Sequence, residues 1–320
     1  MGPEGTGGIR SGPRPRTEIS KMRDYPCDLC GNEDLSEVAC APTYMAGRPL
    51  HVCTACGMVQ VAHRKTPEQV KAAWADEMYR ADQTTRLSDT TYTARMPAVH
   101  ARQTFAMDFI DEAVSFRGKS VCDLGAGEGD FLEMIQGPDY GATEVFAVEP
   151  SVANCRMLDE RGIANFVGIA EEYVEQAGER EGGFDVVTII WTLENCHSAR
   201  DVMDAAWRLC KPGGHVAVAT GSRILVPFKK PLQYYIGPNA DVHPYHFSAR
   251  TLAGYMAQAG FRKTHVNRFI DSDYLVMVGE KTDRTATLSW EGDNATVVLG
   301  FFERWDKETR GFYMEDGPNP

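Results

Sequence analysis

Two groups of residues in this chain have the types and spacing that do chemistry. The first is Val121-Cys-Asp-Leu-Gly-Ala-Gly-Glu-Gly-Asp-Phe-Leu132, an apolar strand running into a glycine-rich turn and then a helix start. Gly125, Gly127 and Gly129 let the backbone bend tightly and bring bare peptide against a ligand. The next apolar stretch, Val145-Phe-Ala-Val-Glu149, ends in a carboxylate, the placement of an acid that accepts both hydroxyls of a ribose. No Gly-Lys-Ser/Thr follows, so the turn is not a P-loop. Its third glycine also comes one residue early for a dinucleotide turn, which weighs against a pyrophosphate. Such a turn suits a nucleotide-like cofactor.

The second group is Cys27-Asp-Leu-Cys30 with Cys53-Thr-Ala-Cys56, each pair followed directly by glycine. Each Cys-x-x-Cys-Gly turn points two thiolates at one spot, and two such turns complete a closed tetrahedral shell for zinc. A closed shell has no open coordination position, so the expected metal is structural rather than catalytic. A redox Cys-x-x-Cys opens a helix and occurs once, whereas here the pair is repeated. Cys40, His51 and His63 are nearby donors expected to be spectators. The other cysteines, Cys122, Cys155, Cys196 and Cys210, are scattered, a pattern of a reducing cytoplasm rather than a disulfide framework.

The elements that must hold these groups follow from periodicity. Thr66-Pro-Glu-Gln is a helix start, and Val70, Ala73, Trp74 and Met78 continue it at helical spacing to about Arg80. The polar run 81–95 reads as an exposed loop or lid. Tyr79 and Tyr92 are candidate substrate contacts there, with packed surface tyrosines as the plainer alternative. A second amphipathic helix spans 97–116. Strands then start at Ser120, Val145, Phe166, Phe184 and His215, alternating with helices from Gly129, Val152, Glu171 and Ala199. Such alternation predicts an α/β fold with a doubly wound parallel sheet and ligands at the carboxyl ends of its strands, where Gly125, Glu149, Ala170 and Trp191 fall. The segment 222–248, with Pro227, Pro231 and Pro244 and several aromatics including Tyr245, predicts a substrate wall. An antiparallel hairpin, 264–270 with 275–280, closes the sheet. Beyond it come a strand at 285–290 and an apolar helical stripe of Val297, Val298, Phe301, Phe302 and Trp305, expected to cover the metal module or a second copy.

The stretch Asp123-Leu-Gly-Ala-Gly-Glu-Gly129 resembles the first motif of the class I S-adenosylmethionine-dependent methyltransferases. Phe184-Asp-Val-Val-Thr-Ile-Ile-Trp191 looks like that family's fourth strand. Glu194 sits where a Glu often opens the following loop, and Leu209-Cys-Lys-Pro-Gly-Gly214 resembles the turn before its fifth strand. The resemblance implies a seven-stranded, mostly parallel sheet. It also implies roles: Asp123 anchors the motif, Gly125 and Gly127 pass the methionine part of the cofactor, Glu149 holds the ribose, Ala170 and Glu171 flank adenine, and Trp191 lines the sulfonium side. The family often has Asp where this chain has Ile169, so backbone or Glu171 would meet the adenine amino group. For Glu171 a plain helix-start acid is the equal alternative.

Asp241-Val-His-Pro-Tyr-His-Phe-Ser248, with Thr251-Leu and Ala259-Gly-Phe261, resembles the sugar-modifying methyltransferases that carry an N-terminal four-cysteine zinc module. In their C-methylating members a Glu-His pair supplies the base. His243 looks like that histidine, with Val242 in place of the Glu. A histidine near its ordinary pKa of about 6.5 can take a proton at neutral pH, which makes His243 the leading base and His246 a second candidate or a structural residue. Asn195 and His197 are further candidates near the methyl group. The missing Glu favours O-methylation of a sugar or nucleotide sugar over C-methylation of a keto sugar. An RNA methyltransferase and a non-catalytic cofactor-binding protein are the other classes.

Composition narrows these. The 320 residues carry a net charge of -12 and a pI near 5.2, which opposes long-range attraction to nucleic acid. Arg14, Arg16, Lys229, Lys230, Arg262 and Lys263 are the only hints of a basic patch. A small-molecule acceptor is favoured, and no apolar run reaches membrane-spanning length. The expected organisation is a flexible tail over 1–23, without the layout of a secretion signal, then a zinc-binding module over 24–64 and a helical linker with a lid over 65–116. A cofactor-binding core over 117–281 and a C-terminal extension over 282–320 complete it.

Overall fold

The computed structural model describes residues 23–75, 89–228, 230–237, 243–267 and 274–310. Continuous apolar runs give its central strands, as expected of strands buried on both faces. In β6 (Ser120–Leu124) every residue is buried, and β7 (Glu144–Glu149), β8 (Ala164–Val167), β9 (Phe184–Ile190) and β10 (Cys210–Thr220) lie parallel about it. With β12 (Phe261–Val266) and β13 (Leu275–Lys281) antiparallel at one edge, the seven-stranded order is β12-β13-β10-β9-β6-β7-β8. Helices α4 (Asp130–Gln136), α5 (Val152–Glu160), α6 (Ala170–Val174) and α7 (Ala199–Leu209) make the crossovers. Two apolar clusters result, one on each face of the sheet, with Cys122 and Leu124 in one and Val121 in the other. Alternate residues of β6 thus serve opposite layers.

The N-terminal module contributes β1 (Arg23–Asp24), β2 (Leu35–Glu37), α1 (Ala41–Tyr44), β3 (His51–Cys53), β4 (Val59–Gln60) and β5 (His63–Arg64). It does not stand apart from the core. The two-residue strand β11 (Tyr245–His246), from the insertion after β10, joins the module's sheet in the order β11-β4-β3-β2, pairing Tyr245 with Gln60 and His246 with Val59. A third apolar cluster unites Val52, Val59 and Val61 of the module with Ile224, with Tyr235 of α8 (Leu232–Ile236), and with Val298, Phe301, Phe302 and Trp305 of α10 (Ala295–Thr309). Val298, Phe301, Phe302 and Trp305 of the C-terminal apolar stripe therefore cover the chain's own four-cysteine module, while Val297 is exposed. Asn294 caps α10 by accepting the Val297 N–H.

Several expected elements differ. Residues 89–95, read as loop from their polarity, begin the long helix α3 (Asp89–Val114), which also contains Pro97. Helical continuity from its apolar second half outweighs the weak propensity of the threonines. The stretch 285–290 forms no strand: its backbone bonds close a turn, from the Ala286 N–H to the Asp283 carbonyl, and Trp290 packs against Gly254 in α9 (Ala249–Ala259). The first part of the expected lid, 81–88, and the side chains of Tyr79 and Tyr92 lie outside the described residues, as do Arg14, Arg16, Lys229 and Val242. No helix among the described residues is long and apolar enough to cross a membrane.

Candidate functional site

At the carboxyl ends of β6, β7 and β9 the glycine turn opens onto a cavity of about 260 Å³, near the small end of the roughly 300–1,000 Å³ usual for ligand pockets. Gly125 has φ +80°, and a Cβ there would come within 2.4 Å of Thr192, so only glycine fits. Gly129, at φ +86°, lets Leu158 and Ile163 close on the start of α4. The Glu149 carboxylate lies across the turn. One oxygen accepts the Gly127 N–H at 2.9 Å, and the other accepts the Ser151 N–H at 2.9 Å and the Asn154 amide at 3.3 Å. Burial raises its pKa despite those bonds. Asp123 sits beneath the turn and outside the cavity wall, accepting from Thr188 at 2.7 Å. Burial first, and Glu149 second, push it up to about 7.

Gly125, Gly127, Glu149, Ala170, Glu171, Trp191 and Asn195 all line this cavity, so the structure brings together the residues expected around a nucleoside-like ligand. Ile169 is there too, and burial raises the pKa of Glu171. Trp191 holds a left-handed backbone (φ 53°) that turns its ring into the wall, tied by its N–H to the Ala219 carbonyl at 2.7 Å. Left-handed tryptophan is strained. Asn195 donates to the Trp191 carbonyl at 2.8 Å. Among the described residues its Oδ1, the Trp191 indole N–H and the second oxygen of Glu194 are buried without partners, each costing about 1–3 kcal/mol while unmet.

The cavity also takes a wall that sequence reasoning had as ordinary helix packing. Pro67, Val70, Lys71 and Trp74 of α2 (Pro67–Ala75) line it, and Lys71 forms an ion pair with Glu172. No local signal marks these residues, because their position depends on how the metal module docks. His197 is held at the rim through its ring nitrogen to the Lys65 carbonyl at 3.0 Å, with Tyr25 edge-on at 4.8 Å.

The histidines of the insertion are not at the cavity. His243 faces Ser222 Oγ at 3.5 Å, and burial followed by the Lys230 charge lowers its pKa to about 4. His246 is buried against the Tyr235 ring, and burial with His243 beside it lowers its pKa to about 3. Tyr245, expected in the substrate wall, is fully buried and donates its hydroxyl to the His197 carbonyl. Tyr245 and His246 are placed by the pairing of β11 with the four-cysteine module, which no sequence pattern announced.

In that module the four sulfurs of Cys27, Cys30, Cys53 and Cys56 lie within 4.8 Å of one another, with Cys27–Cys56 at 3.6 Å and Cys30–Cys53 at 3.5 Å. Thiolates about 2.3 Å from a tetrahedral zinc stand roughly 3.8 Å apart, so the cluster fits. Gly31 and Gly57, at φ 75° and 70°, close the two turns by donating to the carbonyls of Cys27 and Cys53. Asn32 donates to Cys53 Sγ at 3.6 Å, as an outer-shell group does. Cys40, His51 and His63 stand outside the cluster.

A twisted parallel sheet with this order, a glycine turn after its first core strand and an acid at the end of the second define the class I methyltransferase fold. The family model described as a methyltransferase domain matches residues 98–266, and the chain belongs to that family. Among curated proteins, the ubiquinone biosynthesis O-methyltransferase of Dechloromonas aromatica (strain RCB) is 32% identical over 127 residues, covering 39% of this chain and 54% of that protein. The protein of that name in Pseudomonas aeruginosa (strain UCBPP-PA14) is 33% identical with the same coverage. The chain thus spans about half the length of these relatives. Among solved structures, the Burkholderia thailandensis 1,6-didemethyltoxoflavin-N1-methyltransferase, bound to 1,6-didemethyltoxoflavin and S-adenosylhomocysteine, superposes with a TM-score of 0.50 at 17% identity. That match covers 71% of this chain and 96% of the other, and shows a shared fold.

Proposed function

We propose that the protein transfers the methyl group of S-adenosylmethionine to a hydroxyl of a small polar acceptor, a sugar or nucleotide sugar, and that its four cysteines hold a structural zinc. The observation that carries the cofactor reading is the Glu149 carboxylate, fixed by the Gly127 and Ser151 N–H groups at the wall of a glycine-cradled cavity. Three of its four lone-pair sites already accept these N–H groups and the Asn154 amide, and the one left, on the oxygen that meets Gly127, suits a ribose hydroxyl. The Glu149 carboxylate at the cavity wall supplies a negative field that water screens only weakly, which favours a sulfonium cation and opposes a phosphate.

Bound there, the cofactor would supply an electrophilic methyl. The chain's residues contribute orientation and exclusion of water: Ile169 and Ala170 flank the base, Trp191 and Asn195 border the reacting end, and the α2 residues Val70 and Trp74 close the opposite wall. The sugar preference rests on the resemblance of 241–248 and on the unpaired polar atoms near Trp191, which suit a hydroxylated acceptor better than an apolar one. A second reading, O-methylation of an acceptor in ubiquinone biosynthesis, is favoured by the names of the relatives.

Calorimetry with S-adenosylhomocysteine tests the cofactor, with one tight site expected. Labelled S-adenosylmethionine offered with nucleotide sugars and, separately, catechols tests the acceptor, and mass spectrometry places the methyl. Absence of any heat with S-adenosylhomocysteine, beside clear uptake of a nicotinamide or flavin, would overturn the reading.

A further inference from the structure

His243 is a poor proton acceptor in this fold, because burial of its ring followed by the Lys230 charge lowers its pKa to about 4. A better group lies behind Trp191. Glu194, in the loop after β9, is 1% exposed. One of its carboxylate oxygens accepts the Gly221 N–H at 3.1 Å, the Thr220 hydroxyl faces the carboxylate, and the second oxygen has no partner within hydrogen-bond distance among the described residues. The Trp191 indole N–H, also without a partner, borders the same glycine: a Cβ on Gly221 would meet only the indole Cδ1 and Nε1, both at 3.6 Å. Methyl-sized room therefore exists between the unpaired donor and the strand end. The Arg102 guanidinium of α3 lies 5.2 Å from the centre of the Trp191 ring, and its Nε is unpaired too. An unmet donor and an unmet acceptor gathered round one small residue match a hydroxyl, which gives one hydrogen bond and takes another.

We propose that Glu194, the Trp191 indole N–H and Arg102 form the acceptor subsite around Gly221, and that the unpaired oxygen of Glu194 takes the proton of the acceptor hydroxyl. The inference rests on the methyl-transfer reading above. In the step, the acceptor O–H bond breaks and its proton goes to Glu194. The oxygen's electron pair forms the new bond to the methyl carbon. The carbon–sulfur bond breaks with its pair going to sulfur, so a carboxylate and a sulfonium become a neutral acid and a neutral thioether. The groups facing the carboxylate are Arg102 from α3, the Gly221 N–H and Thr220 hydroxyl at the end of β10, and Cys196 on its own loop. Burial raises the Glu194 pKa and the Arg102 charge opposes it, which brings proton acceptance closer to neutral pH.

The test uses the full chain loaded with S-adenosylhomocysteine or S-adenosylmethionine. Glu194→Gln should keep S-adenosylhomocysteine affinity within about twofold, lower kcat by 100-fold or more, and abolish the acid limb of the kcat/KM pH profile, on a scale set by general-base removal. Gly221→Ala, whose methyl makes only ordinary contacts, should keep cofactor affinity and raise acceptor KM about tenfold by filling the space beside the indole. Glu194→Gln with unchanged kcat and pH profile overturns the assignment. So does the absence of heat when nucleotide sugars or catechols are titrated into the S-adenosylhomocysteine complex. Failure of S-adenosylhomocysteine itself to bind sinks instead the methyl-transfer reading beneath it.

Discussion

The four-cysteine cluster draws all its donors from residues 27–56, whereas the cavity draws its lining from residues 67–202. The first is local: two tight turns aim their sulfurs with little help from the rest of the fold. The second exists only after β6, β7 and β9 have aligned and the module has docked. Yet the two are mechanically joined. Asp28, between two of the cysteines, accepts the Arg200 N–H at the start of α7 at 3.1 Å and the Tyr255 hydroxyl at 3.0 Å, while Arg200 donates to the Leu29 carbonyl at 2.9 Å. At the second knuckle the Asp293 N–H donates to the Cys56 carbonyl at 2.9 Å. Lys65 and α2 then carry the module's position to the cavity rim. A self-sufficient local site can thus act as the foundation for a distant one.

That comparison breaks most sharply under metal removal. Chelation, or Cys56→Ala, should uncouple the buried cluster around Phe302 and Val59, lower the melting temperature by roughly 10 °C, as a loss of about 3–5 kcal/mol does in a chain of this size, and weaken S-adenosylhomocysteine binding as α2 loosens. Metal analysis beside differential scanning calorimetry checks it; unaltered cofactor affinity in the metal-free protein would show the two regions to be independent. Gly125→Ala attacks the other region alone: with its Cβ 2.4 Å from Thr192 at φ +80°, it should abolish detectable S-adenosylhomocysteine binding in calorimetry and leave the zinc content at one per chain.

Smaller effects sharpen the electrostatics of the cavity. Glu149→Gln keeps an acceptor for the Gly127 N–H and removes the charge, so affinity for cationic S-adenosylmethionine should fall about tenfold, on the order of 1.4 kcal/mol, and by less for the neutral product. Equal losses for both ligands would remove the argument from charge. Asp123→Asn concerns pH. The folded pKa, about 7, lies above the ordinary carboxyl value of 3.8, so the acid stabilises the fold while protonated. This contribution is complete below about 3.8 and is lost as pH rises through about 7. The variant should therefore melt higher than the parent at pH 8, by a few degrees, with the difference shrinking to nothing toward pH 4. A constant difference across that range would mean that the carboxylate is ionised throughout.

Much of this was legible from the chain in order. The four cysteines, the Gly125–Gly127–Gly129 turn and Glu149 announced themselves because each is a local pattern with one physical purpose, and alternation of strand and helix gave the parallel sheet. Residues 89–95 misled, since polar threonines look like loop when the helix continuing behind them is not considered. His243 and His246 misled for a different reason: chemical type suggested a base, but only burial decides whether a histidine reaches a ligand.

By itself the sequence marked the four cysteines that cluster, the glycine turn with its acid, and the alternation of strands and helices, because these depend on spacing along a few dozen residues. Tertiary structure alone decided that β11 would join the metal module's sheet, that Val70 and Trp74 would wall the cavity, and that Glu194 and Trp191 would keep unmet polar atoms beside Gly221. Those outcomes are sums of many weak contacts between segments far apart in the chain, and no spacing rule encodes where such sums come to rest.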